Sequence, residues 1–528
     1  MAIRPKSKRM PCPFKTYAID IICYICPDKA KTMIQQLTPG ILLSVITVYF
    51  IALFVISYFT GKDSSNKNFF LAGRRTPWPL IAYAMIGTSI SGVTFISIPG
   101  AVGGEGLNKD FSYMQVVFGY MLGYAVIALV LMPIYYRLNL TSIYGYLEQR
   151  FGFFSYKTGA AYFLLSRTVG SAFRLYLAII VLQEFVTGYF GIPFWLTAFI
   201  ALTLIWLYTV RGGIHTVIWT DTFQTTCFLL ALIITIVAIG QTLGMNLTEL
   251  VGMVSKSEYS QMFFFKGGWS DPNNFFKQFI SGALITITMT GLDQDMMQKN
   301  LSCKNIGDAQ KNMLSFSITL LFVNILFLTL GALLYIYASH LGLEIPAKTD
   351  YLYPTIAFKH LPPIMGIVFV LGLIAATYAS SDSALTALTT SFCVDFLNFE
   401  KGQQPEEVQR RQRFYVHIGM TLLLLVMIII FRIINNEAVI NGLFKAAGYT
   451  YGPLLGLFAF GILTKRKIKD QWVIAVCIAA PVLSFVLDRY ADFLLAGFKL
   501  GFLILAINGL LTFIGLWLIS HPNQEEAG

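Results

Sequence analysis

The sequence predicts an all-α polytopic membrane protein of about 13 transmembrane helices, and three observations carry that prediction. Charged residues make up 12% of the 528, about half the share usual in soluble domains. Hydrophobic residues reach 56%, and mean hydropathy is +0.66. The apolar residues also fall in runs of roughly 20, the length an α-helix needs to cross the hydrocarbon. A soluble multi-domain enzyme of this length would carry far more surface charge. Disorder is excluded by 44 Phe and 27 Tyr, and the alternating short strands of a membrane barrel do not occur.

The spans lie near 39–60, 78–100, 112–136, 156–186, 193–210, 216–244, 275–298, 312–339, 363–397, 415–434, 437–464, 470–488 and 500–520. Charges punctuate them. Lys62, Lys67, Arg74 and Arg75 separate the first span from the second, and Arg137 closes the third. Arg150 and Lys157 flank the start of the fourth, and Arg211 divides the fifth from the sixth. Lys299, Lys304 and Lys311 fall between the seventh and eighth, and Lys401, Arg410, Arg411 and Arg413 between the ninth and tenth. Lys465, Arg466, Lys467 and Lys469 precede the twelfth, which is among the shortest and is bounded by Asp470 and Asp488.

These nineteen cations share one side of the membrane if the first span runs inward, while the opposite loops and helix ends hold eight. The positive-inside bias therefore predicts an outside N-terminus and a cytoplasmic C-terminus. Most of the formal charge of +11 is this topology signal. Seven more cations lie in residues 1–32, a basic extension that is disordered or outside the functional protein, whose start would then be Met33. Cys23-x-x-Cys26 falls there, and one such pair without a partner pair is a weak metal or redox signal. Residues 33–528 form the transmembrane domain. Loops are short and no ATP-binding motif appears, so an ion gradient is the expected energy source.

Polar groups and interruptions inside a membrane are costly and mark function. In AMIGTSISGVTFISIPG (84–100), Gly87, Thr88, Ser89, Ser91, Gly92 and Thr94 cluster at mid-span. An unwound stretch there would release carbonyl oxygens for a hard cation such as Na+; the alternative is a small-residue packing face. In SGALITITMTGLDQDMMQKN (281–300), Thr286, Thr288, Thr290 and Gly291 precede Asp293 and Asp295. A second interrupted helix five spans after the first is the pattern of inverted-repeat transporters, although the Asp pair also reads as a solvated helix end. AATYASSDSALTALTTSFCVDF (375–396) presents Ala376, Ser380, Ser383 and Ala387 on one face, with Asp382 among them. Asp221 lies about one turn inside the sixth span, while His215 beside it reads as a loop residue. Lys445, Arg167 and Arg174 are cations within spans, placed to neutralise Asp partners or to bind an anionic solute.

Together these features resemble the sodium/solute symporter family, whose members carry sugars, proline, iodide and sialic acid. The resemblance runs over about 39–520 through NFFLAGRRTPWP, TSIYGYLEQRFG, VRGGIHTVIWTDTFQ, the QKN…DAQKN loop, SSDSAL and YGPLLGLFAFGILTKR. It implies a LeuT-like core of two inverted five-helix repeats, about 78–244 and 275–464, with one helix before and two after. It implies a principal sodium site at Gly87, Ile90, Ala376, Ala379 and Ser380, where Ala379 departs from the family's hydroxyl and Ser381 is the alternative one register away. A second site, for Na+ or a proton, would use Asp221, Asp382 and Ser383. Solute contacts carry over to Thr94, Thr286, Met289 and Lys445, with Arg174 as a further candidate.

The resemblance thus implies a secondary transporter of the inner or plasma membrane: Na+-coupled symport of a small polar solute, with an anionic one favoured by Lys445, through alternating access. Na+ is the coupling ion, no organic cofactor or nucleic acid is expected, and the chain would act as a monomer or loose oligomer in the bilayer. The alternative is a solute sensor on the same fold, binding without turnover.

Overall fold

The computed structural model describes residues 39–62, 64–268, 271–400, 404–434, 439–494 and 500–522, without the side chains of 39, 439–445, 492 and 494. Residues 1–32, with Cys23 and Cys26, lie outside the described residues, as does the side chain of Lys445.

Apolar sequence and internally satisfied backbone give helices throughout. The spans and the halves of the bent pairs are α1 (Pro39–Thr60), α2 (Trp78–Ser89), α3 (Gly92–Ala101), α4 (Tyr113–Arg137), α5 (Phe153–Phe185), α6 (Phe194–Thr209) and α7 (Gly213–Thr242). There follow α8 (Phe275–Gly291), α9 (Gln294–Leu301), α10 (Ile306–His340), α11 (Pro363–Phe396), α12 (Glu406–Ile434), α13 (Val439–Leu463), α14 (Val473–Arg489) and α15 (Ile504–Leu518). Ten helices among the described residues are long and apolar enough to cross a membrane, or up to 12 if each bent pair is one span. The segment expected at 193–210 is α6, a shorter apolar helix of 16 residues.

Both expected interruptions are present. α2 and α3 meet at 60°, and α8 and α9 at 64°. At the first, Ile90 and Ser91 are extended, and Ile90 N–H makes the last helical bond, to Ile86 O at 2.9 Å. The ladder restarts with Phe95 N–H to Ser91 O at 3.0 Å, so the carbonyls of residues 87–90 are left without helical donors. At the second, a π-turn over Ile287–Gly291 runs into Asp293, whose side chain caps α9 by accepting from Asp295 N–H at 2.9 Å.

Burial separates inner from outer helices. The apolar windows of α11 and α5 are 78% and 72% buried, whereas those of α1 and α14 are only 22% buried. α11 therefore forms the centre, packed on α7, α5, α2 and α3, and the outer helices present Ile, Leu and Phe to lipid. Far from the centre, Arg150 donates to the last carbonyls around α13, Gly461 O at 3.1 Å and Thr464 O at 2.7 Å. There its charge also meets the negative helix end. Asp470 caps α5 by accepting from Phe154 N–H at 2.7 Å and Ser155 N–H at 2.8 Å. A two-residue antiparallel pair, β1 (Lys467–Ile468) with β2 (Ser520–His521), ties the end of α13 to the end of α15.

The structure corrects several readings, beginning with His215, read as a loop residue, which lies in the first turn of α7. Lys299, grouped by sequence with the loop cations, has no exposed surface; the bend after Gly291 turns α9 back into protein and buries it. Asp293 and Asp295 are likewise fully buried, which removes the reading of a solvated helix end.

α4 and α8 touch backbone to backbone. A Cβ at Gly119 would lie 2.1 Å from Phe279 O, and one at Gly282 would lie 2.2 Å from Val116 O. Gly119→Val should therefore force the two helices apart, at a cost on the order of 2 kcal/mol. Thermal unfolding in detergent should show a lowered midpoint, while Gly419→Val, at a position with open space around it, should unfold like the parent.

Candidate functional site

α2, α7 and α11 converge at the first bend. A Cβ on Gly87 would lie 2.4 Å from Thr225 Oγ1 and 3.2 Å from Ala379 Cβ, so only glycine admits both neighbours. On the other side of the bend, a Cβ on Gly92 would lie 2.1 Å from Thr377 Oγ1. The positions expected to hold sodium, Gly87, Ile90, Ala376, Ala379 and Ser380, are all buried on these segments, and Gly87 abuts Ala379 directly. Ser380 Oγ donates to Thr377 O at 2.9 Å, which leaves its lone pairs free for a cation. Ser381 Oγ, one register away, makes the same bond at 2.8 Å. The hydroxyl oxygens of Thr225 and Thr377 have no hydrogen-bond partner among the described residues. Unpartnered buried oxygens beside released carbonyls are the donor set a hard cation takes.

Deeper along α7 and α11, Asp221 and Asp382 are neighbours and both are fully buried. The ammonium of Lys299 donates to Asp221 Oδ2 and to Thr88 Oγ1, and Thr88 Oγ1 in turn donates to the same Oδ2 at 3.0 Å. Asp382 accepts from Tyr208 OH at 2.8 Å and from Ser383 N–H at 2.6 Å, and it forms no ion pair with a described residue. The Ser383 hydroxyl, grouped by sequence with these two acids, turns away and donates to Asp295 Oδ1.

Asp295 belongs to a second cluster. Arg167 of α5 donates to Asp295 Oδ2 and lies 3.8 Å from Asp293 Oδ2, which also accepts from Tyr451 OH at 2.6 Å. Arg174, two turns along α5 from Arg167, forms no ion pair with a described residue, and its Nε has no acceptor. Its guanidinium lines a cavity of about 90 Å³ with Thr94, Thr286, Met289 and Asn324. Four of the five expected solute contacts, Thr94, Thr286, Met289 and Arg174, thus share one cavity, and only Lys445 falls outside the described side chains.

Sequence reasoning missed Lys299, Tyr208, Tyr451 and Asn324. The available signal for Lys299 was its spacing: it lies four residues after Asp295 on a helix that also buries Met296 and Met297. His215 only meets Thr60 O, at 3.1 Å.

The profile of the sodium:solute symporter family matches residues 69–470. The sodium/sialic acid symporter NanT of Aliivibrio fischeri is 26% identical over 468 residues, 86% of this chain and 89% of its own. The sodium/iodide cotransporter of Homo sapiens is 22% identical over 413 residues, 76% of this chain and 62% of its own. A solved substrate-bound, outward-open Na+-coupled sialic acid symporter superposes with a TM-score of 0.77 at 20% identity, covering 92% of this chain and 99% of that one.

The two arginines of α5 predict unequal effects. Arg167→Met strands the buried Asp293 and Asp295 and should cost about 3–5 kcal/mol, read as a strongly lowered unfolding midpoint and poor recovery from the membrane. Arg174→Met strands no carboxylate, so its midpoint should stay near the parent's.

Proposed function

The chain belongs to the sodium:solute symporter family, and so is a sodium-coupled symporter rather than an enzyme or a sensor; from that premise we propose that its solute is a small organic carboxylate held by Arg174. The observation that carries this reading is a nearly buried guanidinium without a carboxylate partner among the described residues, facing a cavity beside the first bend. A planar cation of this kind pairs with a carboxylate through two parallel hydrogen bonds. Thr94, Thr286 and Met289 would contact the rest of the solute. A cavity of about 90 Å³ lies well under the ~300 Å³ of pockets for drug-sized ligands and suits a solute of few heavy atoms. The relatives named above are named for sialic acid and iodide, both anions in water.

Sodium is assigned to the bend between α2 and α3 against α11. Carbonyls of Gly87, Ile90 and Ala376 and the hydroxyl of Ser380 would coordinate it, and Thr225 Oγ1, unpaired beside Gly87, would stand in for the hydroxyl that Ala379 lacks. The ligands come from separate helices, so the site exists only while the bend and α11 stay together. Sodium then favours the conformer that accepts solute, and solute favours the conformer that holds sodium, by one coupling free energy. The loop cations orient the chain with its C-terminus in the cytoplasm.

Proteoliposomes with an inward sodium gradient should accumulate radiolabelled small carboxylates, and a potassium gradient should not drive it. Arg174→Gln should raise the half-saturating carboxylate concentration at least tenfold, about 1.4 kcal/mol, with Arg174→Lys recovering part. Accumulation of a neutral solute, equal in parent and Arg174→Gln, would overturn the assignment. Ser380→Ala should raise the half-saturating sodium concentration by about tenfold, and Ser381→Ala by less than about twofold.

A further inference from the structure

We propose that Lys299 is a tethered cation that fills the cation position at Asp221, beside Asp382, and so holds this symporter to a single sodium per solute. The proposal rests on the sodium-coupled reading above and adds its stoichiometry. The position has the makings of a cation site: the carboxylates of Asp221 and Asp382, the hydroxyl of Thr88, and the negative end of helix α2, all without solvent exposure worth the name. Half-helix C-termini of this kind coordinate coupling ions in transporters built from broken helices. Here the ligand delivered to that end is part of the chain. Lys299 reaches from α9, the far half of the second bent span, and its ammonium donates to Asp221 Oδ2 and Thr88 Oγ1. The spot therefore already holds a positive charge hydrogen-bonded to two of the oxygens a metal ion would need.

Charge balance gives the same answer. Among the described side chains, the core around both bends holds four buried acids, Asp221, Asp293, Asp295 and Asp382, and three buried bases, Arg167, Arg174 and Lys299. Arg167 answers Asp293 and Asp295, and Lys299 answers Asp221. The excess is one negative charge, so a single sodium neutralises the core. A second sodium beside Asp221 would have to displace an ammonium that cannot leave. Without the lysine, two adjacent acids would stand buried with no cation, and a sodium ion is the natural occupant of that gap.

The test counts sodium on the purified full chain, using radioactive sodium alone as the probe. The parent should bind one sodium ion, and sodium activation of uptake should be hyperbolic. Lys299→Met should bind two, with activation turning sigmoidal; Lys299→Met combined with Asp221→Asn should return to one, and Lys299→Arg should stay at one. Two sodium ions on the parent, or one on a folded Lys299→Met protein, would overturn the proposal. If Lys299→Met does not fold, the parent's count and that of Lys299→Arg still decide. A parent that binds no sodium would instead defeat the sodium-coupled reading itself.

Discussion

Every charge on the short helix α9 is buried, and the core closes only because each has a partner on another helix. Asp295 meets Arg167 of α5 and Ser383 of α11; Lys299 meets Asp221 of α7 and Thr88 of α2; the capping Asp293 meets Tyr451 of α13. Buried ion pairs barely repay their desolvation, and a single missing partner turns them strongly unfavourable. The network therefore adds little net stability and much specificity: few arrangements of these helices satisfy all its members. It fixes the second bend against the first, through Lys299 and Thr88, and so positions the released carbonyls of α2 opposite α11.

Two members of this core keep a charge that the described residues do not answer with an ion pair. Asp382 has hydrogen bonds from Tyr208 and Ser383 but no cation, and Arg174 has the cavity. They bracket the first bend, one calling for positive charge and the other for negative. On the proposed reading, sodium at the bend and a carboxylate on the guanidinium would return the loaded core to the charge of the empty one. A cation bound at the bend would thus offset the charge that a bound anion brings into a medium that penalises it.

Much of this was legible in the sequence, for identifiable reasons. Spans follow from hydropathy, and both bends follow from Gly, Ser and Thr where lipid favours Leu. Asp221, Asp382, Arg167 and Arg174 stood out because ionisable residues within apolar runs are rare. Thr94, Thr286 and Met289, carried over by the resemblance, and Arg174, noticed as an embedded cation, are separated by up to 195 positions of numbering, yet they line one cavity. Lys299 was harder to read, its spacing from Asp295 being the one signal. DQDMMQKN is polar enough to pass for a solvated helix end, and the positive-inside rule then assigns its lysine to the cytoplasm. Only the 64° bend shows that this stretch re-enters protein. The direction of the Ser383 hydroxyl was hidden for a similar reason: its acceptor, Asp295, comes from a segment 88 residues away.

If one sodium and one monovalent anion cross together, no net charge moves. Capacitive recording from proteoliposomes on a solid-supported membrane reads this directly during carboxylate uptake. Sodium-dependent accumulation of a monocarboxylate should proceed without a sustained current and without response to an imposed potassium diffusion potential. An inward positive current that scales with uptake would contradict it.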